Sequence, residues 1–211
     1  MKKVEKLIND VAALDIKKVT RKQILNVITD FGIVHEDRAP YGEWNRFMVK
    51  DLGIYQTPGQ LADAVKELLK HKIESYLELG VYHGGNFLFL SSILKAKNPK
   101  CECIGIDLDS RFLHPALKDK LDVRNGTSKD VKGISFDLVH IDADHQYHSV
   151  KEDWENVGKY AKICMFHDIN DDTCPGPKQL WNEIKEGRNY KEFTYQTEGK
   201  GVHGIGIIFN D

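Results

Sequence analysis

From Ser75 onward the chain alternates between short apolar runs and amphipathic stretches, and this alternation restricts the fold more than any other feature. Candidate strands are 76–79, 103–106, 121–124, 136–141 and 163–166, each short and bounded by polar or turn-forming residues. Helical faces fall between most of them: Phe87, Leu90 and Leu94, then Val150, Trp154, Val157 and Ala161 at three- and four-residue steps. Consecutive parallel strands need a crossover that returns over the sheet. The expected architecture is therefore α/β, a Rossmann-like three-layer sandwich with helices on both faces of a mostly parallel sheet. A further helix is expected over 178–185, where Leu180, Trp181 and Ile184 share a face. The runs 190–197 and 202–209 are joined only through Gly199, Lys200 and Gly201, too short a link for a crossover, so they should pair antiparallel.

The N-terminal part reads differently. Val4, Leu7, Ile8 and Val11, then Ile24, Leu25 and Ile28, have helical spacing. Residues 31–56 mix Gly32, Pro40 and Gly42 with Tyr41, Trp44, Phe47 and Tyr55 and keep no period. Thr57, Pro58 and Gln60 have the pattern of a capping box with proline in the first turn. They predict a helix with Leu61, Ala64, Val65, Leu68 and Leu69 on its apolar face, ending near His71. The chain divides into a helical and aromatic cap segment, 1–55, and a sheet domain, 56–211.

With 211 residues, 41% hydrophobic and 29% charged, the chain suits one domain, or one domain with an appendage, and not a disordered or membrane protein. About 70% of its extended surface can be buried. Thirty basic against 32 acidic residues give a net charge of −2, so no global field draws in nucleic acid or an anionic membrane. The start lacks the apolar run of a secretory signal, and Cys101, Cys103, Cys164 and Cys174 have no paired CxxC spacing. A cytoplasmic location without a disulfide framework is expected, and because aromatics such as Tyr41, Trp44, Phe47 and Tyr55 also make core and dimer contacts, a homodimer is a candidate assembly.

Two motifs carry chemistry. The stretch YLELGVYHGGN, Tyr76 to Asn86, is a strand that ends in glycines and enters a helix. Gly80, Gly84 and Gly85 let backbone approach a ligand where the helix offers free N–H groups. The spacing is neither GxGxxG nor GxxxxGK[ST], and Tyr82 and His83 stand where small residues would admit a pyrophosphate. Asp107, at the end of the next strand, is suited to accept ribose hydroxyls, and Asn125, Gly126 and Thr127 are placed to edge a base pocket. The second motif is split. Asp142, Asp144 and His145 follow one strand, and His167 and Asp168 follow the next, 25 positions on from Asp142. In a parallel sheet both sets reach the same edge. Clustered carboxylates call for a cation, a proton or a basic side chain. Oxygen donors suit Mg²⁺, whereas zinc or manganese would use His167 more comfortably.

ELGVYHGGN, the acid of GIDLD, FDLVHIDADHQY and CMFHDIND together resemble the class I S-adenosylmethionine-dependent methyltransferases. The closer resemblance is to the metal-dependent small-molecule O-methyltransferase branch that includes catechol O-methyltransferase and sugar and antibiotic methyltransferases. It covers residues 56–210 and implies a seven-stranded sheet with an antiparallel last strand. It implies S-adenosyl-L-methionine held by Glu78, Gly80, Tyr82, Gly84, Asp107, Gly126, Thr127 and Asp142. Mg²⁺ or Mn²⁺ would be held by Asp142, His167 and Asp168, with Asn170 and Asp171 as nearby alternatives. Histidine at 167 departs from the acid or amide usual there. The general base falls on His145, where catechol-type enzymes carry lysine, or on Asp144, where some sugar-modifying relatives carry aspartate. The acceptor would be a small hydroxylated molecule under an aromatic lid of Tyr41, Trp44, Phe47 and Tyr55. Two other functions compete: a non-catalytic cofactor-binding or self-association module, and an NAD-dependent oxidoreductase, which the missing GxGxxG disfavours.

Overall fold

A computed structural model describes residues 2–31, 53–194 and 203–210. Seven strands form one sheet: β1 (Ser75–Leu79), β2 (Glu102–Asp107), β3 (Asp122–Asn125), β4 (Leu138–Ile141), β5 (Ile163–His167), β6 (Asn189–Phe193) and β7 (Ile205–Phe209). Their order is β3-β2-β1-β4-β5-β7-β6. β1 to β5 run parallel, while β7 lies between β5 and β6 and runs against both. The seven-stranded, mostly parallel sheet with an antiparallel last strand is thus present.

Strand alternation assigns the two faces. Tyr76, Cys103, Leu138, Ile163, Met165, Ile205 and Ile207 face a core built with α1 (Lys2–Ala12), α2 (Arg21–Phe31), α3 (Pro58–Leu68) and α4 (Gly85–Lys97). Leu77, Leu79, Val139, Ile141, Cys164, Phe166 and Ile208 face α5 (Tyr147–Asn156) and α6 (Pro175–Ile184). Neighbours in sequence point to opposite faces, and because both faces are covered, the central strands are apolar throughout. Each fully buried Leu, Ile or Phe contributes about 1.5–3 kcal/mol. The edge strands β3 and β6 are instead exposed and charged, with Asp122 paired to Arg124 and Lys191 beside Glu192, which discourages edge-to-edge pairing. α1 packs on α4 and α2 on α3, so the N-terminal helices share the core of one sheet face.

The strands and helices lie within a few residues of their expected bounds. One local expectation fails. Thr57 precedes α3 with Pro58 in its first turn, but no side-chain cap forms. Gln60 is fully buried, and its Oε1 accepts a hydrogen bond from Gly204 N–H at 3.1 Å. The start of β7 therefore takes the acceptor that a capping box would have used. Tyr41, Trp44, Phe47 and the 199–201 link lie outside the described residues. No helix among the described residues is long and apolar enough to cross a membrane.

Candidate active site

From β1 the chain goes outward through β2 and β3, then returns to β4 on the other side. The crevice at the carboxyl ends of β1 and β4 is therefore the switch point where ligands bind in such sheets. Gly80 makes this crevice possible. Its φ is +85°, and a Cβ there would lie 2.1 Å from Asp142 O. Tyr82 follows at φ 50°, a left-handed conformation uncommon for a side chain of its size. Its N–H donates to Asp107 Oδ2 at 2.7 Å, while Asp107 Oδ1 accepts from Asp109 N–H at 2.9 Å. Each oxygen retains a lone pair, and the side chain stays partly exposed. Leu108, beside it, is 76% exposed. Gly126 N–H donates to Asp107 O at 2.9 Å, which brings the end of β3 to the same edge. Thr127 uses its hydroxyl to cap the 128–131 turn, with Asp130 closing the box.

Glu78 lies behind this turn. It is buried with Tyr76 and His140, accepts a short hydrogen bond from Tyr76 Oη, and sits 3.4 Å from His140 Nδ1 and 3.2 Å from Asn86 Nδ2. Glu78 and His140 are direct partners in the β1–β4 register. The carboxylate thus ties two strands to the first turn of α4.

The split motif converges. Asp142 Oδ1 lies 3.3 Å from His167 Nδ1 and 3.8 Å from His145 Nε2. Asp168 Oδ1 lies 3.2 Å from His167 Nδ1, and its Oδ2 lies 3.2 Å from His145 Nε2. Asp168 has φ 58°, so the chain turns sharply after β5 and aims this nearly fully buried carboxylate inward. Asp144 does not join the cluster. It is exposed and accepts from Ser149 Oγ at 2.7 Å and Gln146 N–H at 3.3 Å, fixing the entry to α5. His148 and Asn170 are also exposed.

Three residues complete the cluster without any local sequence pattern announcing them. Gln56 is buried and donates through Nε2 to Asp142 Oδ2 at 2.7 Å. Cys174 Sγ is 3.2 Å from His145 Nδ1. His203 Nδ1 hydrogen-bonds Asp171 Oδ2 and lies 3.4 Å from Asp168 Oδ1. Tyr55, from the expected lid, meets Tyr82 edge-on at 5.6 Å.

Electrostatics follow from this packing. Burial disfavours ionisation of Asp142, but the His167 charge and hydrogen bonds from His145 and His167 outweigh it and hold the carboxyl well below the usual range. Asp168 is depressed in the same way, with burial opposed by His167 and His203. Hydrogen bonds to Asp142 and Cys174 raise His145 to about 11. Burial lowers His167, but the charges of Asp168 and Asp142 win and raise it to about 10. The carboxylates and the rings of this cluster therefore favour one another's charged forms. Asp142, His167 and Asp168 each present a donor atom within 4.8 Å of the others, and Asp168 Oδ1 has no hydrogen-bond partner among the described residues. This donor set fits a divalent cation.

A glycine turn, an acid after β2 and a crevice at the β1/β4 switch point are the features of a Rossmann-like sheet edge that binds a ligand. Residues 77–169 match the family described as "Methyltransferase domain". The chain is similar to the "Uncharacterized protein y4gI" of Sinorhizobium fredii, at 26% identity over 63% of this chain and 17% of that protein. It thus spans about a sixth of that relative. Its fold is similar to an O-methyltransferase from Bacillus cereus solved with S-adenosylhomocysteine (TM-score 0.55, 18% identity, 98% of this chain and 99% of that one). TomG from Streptomyces achromogenes, an O-methyltransferase of tomaymycin synthesis solved with S-adenosylmethionine, gives 0.53, 16% identity, and 76% and 82% coverage. CalS11, a TDP-rhamnose 3'-O-methyltransferase of calicheamicin biosynthesis, gives 0.53, 14% identity, and 90% and 93% coverage.

Proposed function

We propose that this chain transfers a methyl group from S-adenosylmethionine to an oxygen of a small hydroxylated molecule with the help of a divalent cation. The observation that carries this reading is the meeting of Asp142, His167 and Asp168 directly beside the Gly80 turn, with Asp142 O forming the wall that only glycine can face. The neighbours that resemble it in fold include O-methyltransferases of tomaymycin and calicheamicin synthesis.

Asp107 accepts the ribose hydroxyls on the lone pairs its backbone bonds leave free, and exposed Leu108 offers an apolar platform to the adenine. The N–H groups that open α4 after Gly84, which no side chain caps, receive the carboxylate of the methionine part. Glu78 works from behind, holding Asn86 in place. The cofactor's sulfonium supplies the electrophilic methyl carbon. Asp142, His167 and Asp168 would hold a cation, which would supply Lewis acidity to lower an acceptor hydroxyl's pKa. Gln56 orients Asp142 by its hydrogen bond to Oδ2. His145 lies within the cluster, its Nε2 3.2 Å from Asp168 Oδ2, whereas Asp144 holds the α5 entry, so His145 is the proton acceptor of choice. Its ring becomes free for that role only when another charge neutralises the two carboxylates it now serves. Fixing donor and acceptor in line is worth more than any single proton transfer here.

Calorimetry with S-adenosylhomocysteine tests the cofactor half. Transfer of labelled methyl to a panel of vicinal diols, with and without chelator, tests the rest. Failure to bind either S-adenosylmethionine or its demethylated product overturns the reading.

A further inference from the structure

We propose that the cluster on Asp168 is a mixed nitrogen and oxygen centre that selects a first-row transition cation over Mg²⁺, with His167 as its nitrogen donor and His203 as a positioning residue. The proposal rests on the cation reading above and concerns which ion this chain is built to hold.

Geometry comes first. A cation with bonds of about 2.1 Å sets neighbouring donors about 3.0 Å apart in an octahedron and about 3.4 Å apart in a tetrahedron. The Asp142 Oδ1 to His167 Nδ1 and His167 Nδ1 to Asp168 Oδ1 edges, 3.3 and 3.2 Å, fall in that interval. The imidazole nitrogen is the shared vertex of both edges, so a cation seated among these atoms takes it as a ligand. Asp168 Oδ1 supplies a second and independent observation. It belongs to a side chain about 96% buried and has no hydrogen bond among the described residues, although two ring nitrogens stand within 3.4 Å.

Donor chemistry then selects the ion. Mg²⁺ prefers six oxygens and keeps several waters, whereas imidazole suits zinc, iron, cobalt and nickel. Packing fixes where that nitrogen stands. The His203 ring stacks on His167 with centroids 5.8 Å apart, and its Nδ1 is held by Asp171. Asp171 is itself fixed by Thr173, whose N–H and Oγ both donate to Oδ1 at 2.7 Å. A ligating histidine usually has a partner on its other ring nitrogen, but His167 Nε2 is buried with no hydrogen-bond partner among the described residues, so its ring position is set by packing, the His203 ring included. His203, held by Asp171, thus packs against the His167 ring and stands beside Asp168 Oδ1 without bonding it.

The test uses the full chain after chelator treatment, titrated with CoCl₂ and MgCl₂ and followed by visible absorption and calorimetry. One Co²⁺ should bind per chain, on the order of 100-fold more tightly than Mg²⁺. His167→Asp, which restores an all-oxygen set, should move the preference toward Mg²⁺. His203→Ala should weaken Co²⁺ by about 10- to 100-fold and alter its absorption spectrum, a change that general loosening would not produce selectively. Equal wild-type affinities for Co²⁺ and Mg²⁺, or Co²⁺ binding untouched by His167→Asp, would overturn the proposal. So would a thiolate charge-transfer band, which would move the ion to the neighbouring His145, Asp168 and Cys174 group, or no binding, which would leave the cluster an ion-pair network. S-adenosylhomocysteine binding to the same metal-free protein separates failure here from failure of the methyltransferase reading.

Discussion

Replacing Gly80 by alanine tests the crevice at its tightest point. The new Cβ would stand 2.1 Å from Asp142 O and 2.5 Å from Ala143 Cα, both backbone atoms. A normal carbon–oxygen approach is about 3.3 Å, so the ends of β1 and β4 must part by about 1 Å. The left-handed φ of +85° adds roughly 1–2 kcal/mol for any residue with a side chain. With the overlap, the loss should come to about 3 kcal/mol. For a chain of this size that lowers the unfolding midpoint by roughly 6–12 °C. Because Asp142 travels with the displaced backbone, methyl transfer should fall by about 100-fold even in the folded fraction, the usual result of a 1 Å misplacement. Scanning calorimetry reads the first effect, and turnover at a temperature where the variant is folded reads the second. A variant that melts with the wild type refutes the claim that only glycine fits between these strands. One that melts early but turns over normally refutes the claim that this contact positions Asp142.

Three further substitutions probe other parts of the structure. Asp137 accepts Glu74 N–H at 2.6 Å and pairs with Lys162 at 2.7 Å, and these contacts overcome burial to lower its pKa. Asp137→Ala should therefore cost about 1–3 kcal/mol at pH 7, and in thermal melts the deficit should shrink as pH falls through 3.8 and below the depressed folded value. Asp153 behaves oppositely. Burial raises it to about 6, so the folded state holds its proton more tightly and stability drains away between about pH 4 and 6. Asp153→Asn should gain on the order of 2 kcal/mol at pH 7 and nothing at pH 3.5; equal gains at both would refute the burial argument. Leu108→Ser, at a side chain that contributes nothing to the core, should leave the melting point alone and weaken S-adenosylhomocysteine several-fold by calorimetry.

Much of this molecule was legible in the sequence because its strands are short, apolar and buried on both faces. Parallel order alone then carries Asp142 and Asp168 to one edge. The same reasoning found Asp107 and the Gly80 turn. It could not find Gln56, Cys174 or His203. Gln56 and Cys174 reach the cluster from segments without periodicity and His203 from the mouth of a run read only as strand, and their approach depends on how the chain closes over the sheet edge. The Gln60 expectation failed for a related reason. A capping box is a local pattern, and a buried amide answered the distant N–H of Gly204 instead. Asp144 and His145 are neighbours in sequence, yet only the turn into α5 decides which one faces solvent.

The position of β7 has a consequence for how the molecule assembles and opens. This strand enters between β5 and β6 after both have been synthesised, and the residues just before it bring His203 to Asp168 and Gly204 to Gln60. The strand that closes the sheet thus also completes the cluster around Asp168. Any breathing motion that unzips β7 would expose the amides of two strands to exchange and dismantle the pocket at the same moment.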